Sequence, residues 1–161
     1  MKKDTVWKAY LSDDRRFADL VNGIMFHGAQ AVSAKDLTER DTQTGYMPQP
    51  GERRQRSIKI RDTVREVRLH DGLVRIGIEC EEYVDYSMPL RDLGYTAGEY
   101  EKQAAEIRRC IRQELSSLHG AERMYRFKKD SRVIPSVSLI LYCGRDEWNG
   151  PRTLHDMIDF A

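Results

Sequence analysis

The sequence has few cysteines, no long hydrophobic run and no excess of charge of either sign. Its three cysteines, Cys80, Cys110 and Cys143, lie about thirty residues apart. This spacing gives neither a disulfide framework nor a CxxC metal site, so we expect reduced thiols. No apolar run approaches the ~20 residues of a transmembrane helix, and the N-terminus lacks the apolar segment of a signal peptide. These absences predict a cytoplasmic protein with no membrane partner.

Charge balance and missing motifs exclude further classes of function. Because 27 basic residues almost balance 26 acidic residues, a nucleic-acid partner would have to be bound by a local basic patch. The sequence contains no G-x-S-x-G, Walker or G-x-G-x-x-G motif, so serine hydrolases, P-loop NTPases and Rossmann-type dinucleotide-binding proteins lose their usual support. Its four histidines form no H-x-H or H-x-x-x-H pair, which argues against a histidine zinc site.

The order of predicted elements indicates a single α/β domain over residues 1–161. Apolar residues keep helical spacing within the first thirty residues and again at about 99–118. Residues 133–142 are largely apolar and predict a buried strand. Residues 41–57 contain two prolines, two glycines and few large apolar side chains. That composition predicts a mobile loop.

A β-hairpin is predicted around Asp71 and Gly72, because these turn-forming residues lie between apolar positions that alternate with polar ones. With Asp71 and Gly72 as the two turn residues, Asp62 lies directly opposite Glu81 on the polar face. Glu79 is then about 7–8 Å away on the diagonal. The pattern therefore predicts that three carboxylates meet at the open end of the hairpin.

Carboxylates that converge in this way suit a hard divalent cation, Mg²⁺ or Mn²⁺. Directly opposed like charges destabilise a sheet, so they either share a proton or bind a cation. Such an ion can polarise a phosphoryl oxygen and lower the pKa of an attacking water. Asp62, Glu79 and Glu81 are therefore candidate metal ligands and catalytic groups; the alternative is a solvated, charge-rich hairpin face.

A run of five cations leads directly into Asp62 and forms a candidate DNA-binding segment: Arg53, Arg54, Arg56, Lys59 and Arg61. Clusters of this kind bind phosphate backbones through counterion release, and the contacts carry no sequence information. The alternative is the edge of a soluble loop. The position of the run beside the acids favours binding of a polyanion at the place where a metal could act on it.

Segments spread along nearly the whole chain resemble one known family. They include KDT at 3–5, RFADLVN at 16–22, IGIE at 76–79, YSMPLR at 86–91 and WNGPRTLHDM at 148–157. In this order and spacing they resemble the Rpn-type family of recombination-promoting nucleases and transposases, which belongs to the PD-(D/E)XK nuclease superfamily. The resemblance implies a restriction-endonuclease-like core, with a central mixed sheet and a β-hairpin flanked by helices, and metal-dependent cleavage of DNA.

The resemblance also implies roles for individual residues. Asp62 would be the first acid of the motif and Glu79 the second. The position two after the second acid is Lys in the wider superfamily and commonly Gln in this family, but it is Glu81 here. Glu81 would act as a third metal ligand or as a general base. Gln103, on the helix after the motif strands, is the candidate for the missing polar group.

Three functions therefore compete. The first is a Mg²⁺- or Mn²⁺-dependent DNA endonuclease of low sequence specificity, linked to recombination or mobile elements. The second is a degenerate nuclease fold that binds DNA or a protein partner without cutting, which the glutamate at position 81 favours. The third is a dimerisation or regulatory module, whose mark would be an exposed apolar patch; a homodimer is compatible with all three.

Overall fold

The computed structural model describes residues 3–46 and 57–160. Four α-helices and six strands follow one another in the order α1 (Lys3–Leu11), α2 (Asp14–Met25), β1 (Leu37–Glu39), β2 (Gln43–Tyr46), β3 (Ser57–Ile60), β4 (Thr63–Leu69), β5 (Gly72–Glu81), α3 (Met88–Ile111), α4 (Gly120–Tyr125) and β6 (Ser136–Tyr142). One sheet has the strand order β1-β4-β5-β6, and β2 pairs with β3 in a separate ribbon.

The main sheet is mixed. β1 pairs with β4 and β4 with β5 in antiparallel fashion, whereas β5 and β6 are parallel. Parallel neighbours need a long crossover connection, and α3 lies in the connection here. The predicted α/β class is confirmed, and the structure has a four-stranded mixed sheet flanked by helices. In the described ranges, every helix is too short or too polar to cross a membrane.

α2 begins directly after Asp13, whose side chain caps the helix. The carboxylate accepts a hydrogen bond from the backbone N–H of Arg15 at 2.9 Å, which satisfies a donor that has no partner inside the helix. At the other end Gly28 adopts a φ of +87°, and its N–H donates to the carbonyl of Asn22 at 2.9 Å. This helix carries the fully buried Phe17 into the core.

Both faces of the sheet are covered, and they differ in chemistry. On the first face, apolar strand residues pack against α1 and α2 in a core that includes Leu11, Phe17, Val21, Val67, Ile76 and Ile78. On the second face α3 covers charged residues. There Arg75 donates to Glu66 at 3.1 Å and also to Glu99 of α3. Buried charges of this kind are tolerated when they are paired.

The hairpin turn is formed by His70 and Asp71 rather than by Asp71 and Gly72. Leu69 pairs with Gly72 as the first pair after the turn. Gly72 has a φ of +145°, a conformation that residues with a Cβ adopt at a cost. The glycine is therefore needed immediately after the turn, and the pairing is shifted by two residues from the predicted register.

This shift changes which acids face each other but not the faces themselves. Because successive side chains alternate, a shift by two leaves every side chain on its predicted face. The last pair is Thr63 with Ile78, and the next position along each chain brings Asp62 opposite Glu79. The prediction that Asp62 opposes Glu81 is wrong.

Part of the stretch predicted as a mobile loop is β-structure. Gln43–Tyr46 forms β2, and Ser57 begins β3. Lys102 of α3 fixes the start of this ribbon with an ion pair to Asp41 at 3.2 Å. The rest of the predicted loop, 47–56, lies outside the described residues.

Candidate active site

The structure brings the three predicted acids to the open end of the β4–β5 hairpin. Asp62 lies in the bend directly before β4, and one of its carboxylate oxygens accepts a hydrogen bond from the backbone N–H of Cys80 at 2.8 Å. That bond ties Asp62 to the point of β5 between Glu79 and Glu81. The other oxygen of Asp62 is 2.7 Å from the Nζ of Lys8 in α1.

Arg91, from the first turns of α3, balances most of the negative charge at this end of the sheet. Its guanidinium lies 2.9 Å from Glu79, 2.7 Å from Glu81 and 2.7 Å from Asp85. Burial lowers the pKa of Arg91, but hydrogen bonds to Asp85 and Tyr95 outweigh that effect and raise it. The guanidinium therefore stays charged while it bridges three carboxylates.

Glu79 is the most deeply buried acid of the cluster, with 8% of its surface exposed. Its Oε1 accepts hydrogen bonds from Arg91 at 2.9 Å and from the hydroxyl of Tyr95 at 3.0 Å. Its Oε2 is buried and has no hydrogen-bond partner. Burial, and next the negative charge of Asp62, raise the pKa of Glu79 to about 7, so the group titrates near neutral pH.

Glu81 lies nearer the surface and is perturbed in the same direction. Burial raises its pKa, and the positive charge of Arg91 partly opposes that effect. Glu79 and Glu81, two positions apart on one strand, are therefore both carboxyl groups whose pKa is raised mainly by burial. Strongly perturbed groups of this kind cluster at functional sites.

The residues present fit a divalent cation in chemistry but are not arranged as a ligand set. Within 3–46 and 57–160, no group of three or more His, Cys, Asp and Glu side chains is disposed to hold a metal ion. The reason is visible in the contacts, since Lys8 and Arg91 occupy carboxylate oxygens of Asp62, Glu79 and Glu81. The partnerless Oε2 of Glu79 is an oxygen that a cation could take without breaking a contact.

Arg61, predicted to contact DNA, is buried beneath α3. Its side chain is 3% exposed, and its guanidinium donates to the hydroxyls of Ser138 and Thr96. It lies over Gly77, where a Cβ would come within 1.9 Å of its Nη1. Burial lowers the pKa of Arg61 despite the nearby charge of Asp92. A phosphate cannot reach this side chain, so its assignment to DNA binding is wrong.

Of the other four predicted DNA-binding residues, only Lys59 lies within the described ranges. Arg53, Arg54 and Arg56 lie outside the described residues. The backbone of Lys59 belongs to β3, opposite Thr44. Contact between these four residues and DNA stays a prediction from the sequence.

Gln103 has a structural role in α3. Its side-chain amide donates to the carbonyl of Ile134 at 3.1 Å and accepts from the N–H of the same residue at 2.7 Å. It also donates to Glu99 at 3.3 Å. Eight residues, or about 12 Å of helix, separate it from Tyr95, which contacts Glu79. Both ends of the amide are used, so Gln103 does not supply the missing polar group at the acids.

Residues that the sequence prediction overlooked complete the site. Arg91 and Tyr95 of α3 and Lys8 of α1 provide its cationic and hydroxyl contacts. Arg91 ends the YSMPLR segment at 86–91, one of the segments that carry the family resemblance, so the signal to single it out was present. Lys8 and Tyr95 have no such signal, because their roles depend on how the helices pack.

A second set of cations lies near the far end of α3. Eight Lys and Arg residues against three acids occur between 108 and 132: Arg108, Arg109, Arg112, Arg123, Arg126, Lys128, Lys129 and Arg132. Most of them are exposed. This surface could contact phosphates at a distance from the acids.

An apolar cavity of about 580 Å³ lies beside the acids. It opens between the first half of α3, β6 and the segment 148–154. Its walls are mainly hydrophobic and aromatic, and its polar groups include Asp92 and Thr96. A cavity of this size and composition lies within the range of small-ligand sites.

Comparisons with known proteins do not identify the chain. No protein-family model matches it, no curated protein is similar to it, and no solved structure matches its fold. The relation to Rpn-type nucleases stays a prediction from the motifs.

Proposed function

We propose that the protein is a metal-dependent DNA endonuclease with a PD-(D/E)XK-like core, acting with low sequence specificity in recombination or in the movement of mobile elements. The observation that carries the proposal is the end of the β4–β5 hairpin, where Asp62, Glu79 and Glu81 come together and Oε2 of Glu79 is buried without a hydrogen-bond partner. The mixed sheet flanked by helices, on which the acids lie, supports it further.

Asp62, Glu79 and Glu81 are the residues that would hold Mg²⁺ or Mn²⁺. When bound, such an ion supplies charge for the scissile phosphate and activates a water. The three side chains offer only carboxylate oxygens, and hard divalent cations such as Mg²⁺ and Mn²⁺ prefer oxygen ligands. With a pKa of about 7, Glu79 loses its proton at mild alkaline pH, so cation binding should strengthen as pH rises.

Arg91 gives this site the positive charge that Glu81 does not provide. A guanidinium donates two parallel hydrogen bonds to carboxylate or phosphate oxygens. Arg91 already lies between Glu79 and Glu81, and it is 36% exposed on its outer side. In the nuclease it would contact the phosphate oxygens and orient the DNA backbone over the acids.

A second candidate function is DNA binding without cleavage. The observation in its favour is that Arg91 bridges Glu79, Glu81 and Asp85 at once. The charge of the acids is therefore largely balanced by the chain itself, and a metal ion would have to displace this cation. A fold that keeps the bridge permanently would bind DNA and leave it intact.

The test is incubation of supercoiled plasmid with the purified protein and either Mg²⁺ or Mn²⁺, at pH 7 and pH 8.5. The wild-type protein should produce nicked and then linear DNA, faster at the higher pH. The Asp62→Asn variant, which replaces one charged oxygen by an amide, should not. Glu101→Gln, which removes an exposed carboxylate from α3, is the matched control and should cut like the wild type.

Equal nicking by wild type and Asp62→Asn would mean a contaminating nuclease and would refute the assignment. Salt-sensitive DNA binding with no product under either metal would favour the second candidate. A thermal-unfolding series with Mn²⁺ separates the two further, because only a site that binds the ion through Asp62 is stabilised in the wild type and not in Asp62→Asn.

A further inference from the structure

We propose that the apolar cavity beside the acids binds a DNA base that has left the base stack, so that the preferred substrate is single-stranded or locally unstacked DNA. The choice of DNA as the ligand rests on the proposed function. The cavity itself, its position and its chemistry are properties of the fold.

The position of the cavity follows from the pairing of β5 with β6. Ile140 and Tyr142, two of its lining residues, pair with Glu79 and Glu81 respectively. Paired residues on neighbouring strands project from the same face of a sheet, and the strands lie about 4.8 Å apart. The wall of the cavity therefore begins one strand away from the acids, on the face that α3 covers.

The aromatic side chains of the cavity are held in place by the chain itself. The rings of Tyr142 and Trp148 pack edge to face, with centroids 5.2 Å apart. The hydroxyl of Tyr142 donates to the carbonyl of Asp146 at 2.8 Å, and the indole N–H of Trp148 donates to the carbonyl of Gly150 at 3.1 Å. Rings that are already ordered can stack on a base without a further entropic cost.

The polar groups of the cavity suit both parts of a nucleotide. Arg152, which also lines it, can contact a phosphate, and Asp92 and Thr96 can contact the base. The side chain of Asp92 is 36% exposed. Its buried oxygen Oδ1 lies 3.8 Å from the guanidinium of Arg61 and accepts no hydrogen bond. A carboxylate repels phosphate but accepts hydrogen bonds from the amino groups of adenine, cytosine and guanine. The hydroxyl of Thr96 adds a group that both donates and accepts. A flat apolar ring with N–H donors matches this lining.

The first experiment follows the fluorescence of Trp148. The protein has two tryptophans, and a Trp7→Phe variant leaves Trp148 as the single one. This variant is titrated, in EDTA so that no cutting occurs, with a single-stranded octanucleotide, with an abasic octamer of the same length, and with the octanucleotide in duplex form. Saturable quenching by the single strand, and little by the abasic or duplex forms, is the expected result.

The second experiment blocks the cavity. Leu93 lines it and is 50% exposed, so a Leu93→Trp substitution adds an indole at the opening without disturbing the core. Leu90, on the same helix and 49% exposed, is absent from the lining, and Leu90→Trp is the matched control. In anisotropy titrations with a labelled single strand, Leu93→Trp should weaken binding roughly 5- to 100-fold, the range for loss of one stacked base, and Leu90→Trp should not.

Equal binding of the abasic and the base-carrying strand would overturn the inference, and so would equal affinities of the two leucine variants. Failure of the nuclease proposal looks different. Base-dependent binding that is lost in Leu93→Trp, together with intact plasmid under Mg²⁺ and Mn²⁺, would support the cavity assignment and refute cleavage. Metal-dependent cutting of single strands that is unchanged in Leu93→Trp would support the nuclease proposal and refute the cavity assignment.

Discussion

Replacing Glu79 by Gln should stabilise the protein at pH 8 and leave its stability nearly unchanged at pH 4.5. In the folded protein the pKa of Glu79 is raised from 4.5 to about 7, first by burial and then by Asp62. The fold therefore favours the protonated form. The stability that this group contributes is fully present below the unfolded pKa, and it is lost as pH rises through the folded pKa.

The size of the effect follows from the difference between the two pKa values. At 1.36 kcal/mol per pH unit, a rise from 4.5 to about 7 corresponds to about 3 kcal/mol lost by pH 8. Gln has the shape of the protonated acid and no charge to lose, so Glu79→Gln should be more stable than the wild type by up to this amount. For a chain of 161 residues, that is a difference in melting temperature of roughly 6–12 °C.

The assay is urea unfolding of the wild type and Glu79→Gln at intervals between pH 4.5 and 8.5, without divalent ions. Taking the difference removes the contribution of other acids, such as Asp85, whose pKa is lowered by a hydrogen bond from Arg91. Glu101→Gln controls for the loss of one negative charge from the surface. A difference between wild type and Glu79→Gln that does not grow with pH, or a Glu79→Gln protein that is the less stable at pH 8, would refute the reasoning.

Three further predictions concern the packing of Arg61, the charge of Arg91 and the basic surface near the far end of α3. Gly77→Ala places a Cβ within 1.9 Å of Arg61, so it should lower the free energy of unfolding by about 1–3 kcal/mol in urea. The control is Gly23→Ala, which has open space around it and should be neutral or stabilising by up to about 1 kcal/mol. Equal losses of stability in the two variants would contradict the packing of Arg61 over Gly77. Arg91→Met should lower the melting temperature more at pH 8 than at pH 5, because its carboxylate partners lose their counter-charge once they ionise, and a pH-independent loss would contradict this. Arg109→Gln should flatten the dependence of log DNA affinity on log salt by about one unit if Arg109 contacts a phosphate; an unchanged slope would remove it from the DNA surface.

The meeting of the acids could be predicted from the sequence because it depends only on alternation. Residues two apart on a strand share a face, so Glu79 and Glu81 project together whatever the register. Asp62 joins them in any pairing shifted by an even number of residues. The exact opposition was wrong because the position of a glycine decided it: Gly72 follows the turn with a φ of +145°. A sequence pattern shows that a glycine is near a turn but not which turn position it takes.

The partners of the acids could not be predicted, because they come from helices distant in sequence. Whether Arg91 contacts Glu79 depends on the angle at which α3 crosses the sheet, and no local sequence pattern predicts that angle. The burial of Arg61 is a similar case. Five cations in a short run indicate a basic surface, but the side chain of Arg61 fits into the space above Gly77. That space exists only once the sheet and α3 have packed together.

The unsatisfied polar atoms of the structure support the location of the site independently of any motif. In the part of the chain that the structure describes, two buried side-chain oxygens have no hydrogen-bond partner, Oε2 of Glu79 and Oδ1 of Asp92. Such atoms cost about 1–3 kcal/mol each, and on the same face of the sheet Arg75 is fully engaged by acids. The fold thus gives its buried charges hydrogen bonds away from the hairpin end. It leaves these two oxygens without one, Oε2 of Glu79 among the acids and Oδ1 of Asp92, which lies 3.8 Å from Arg61, at the cavity. Because folded proteins concentrate such exceptions at functional sites, the two atoms support the proposal that the acids and the cavity act together.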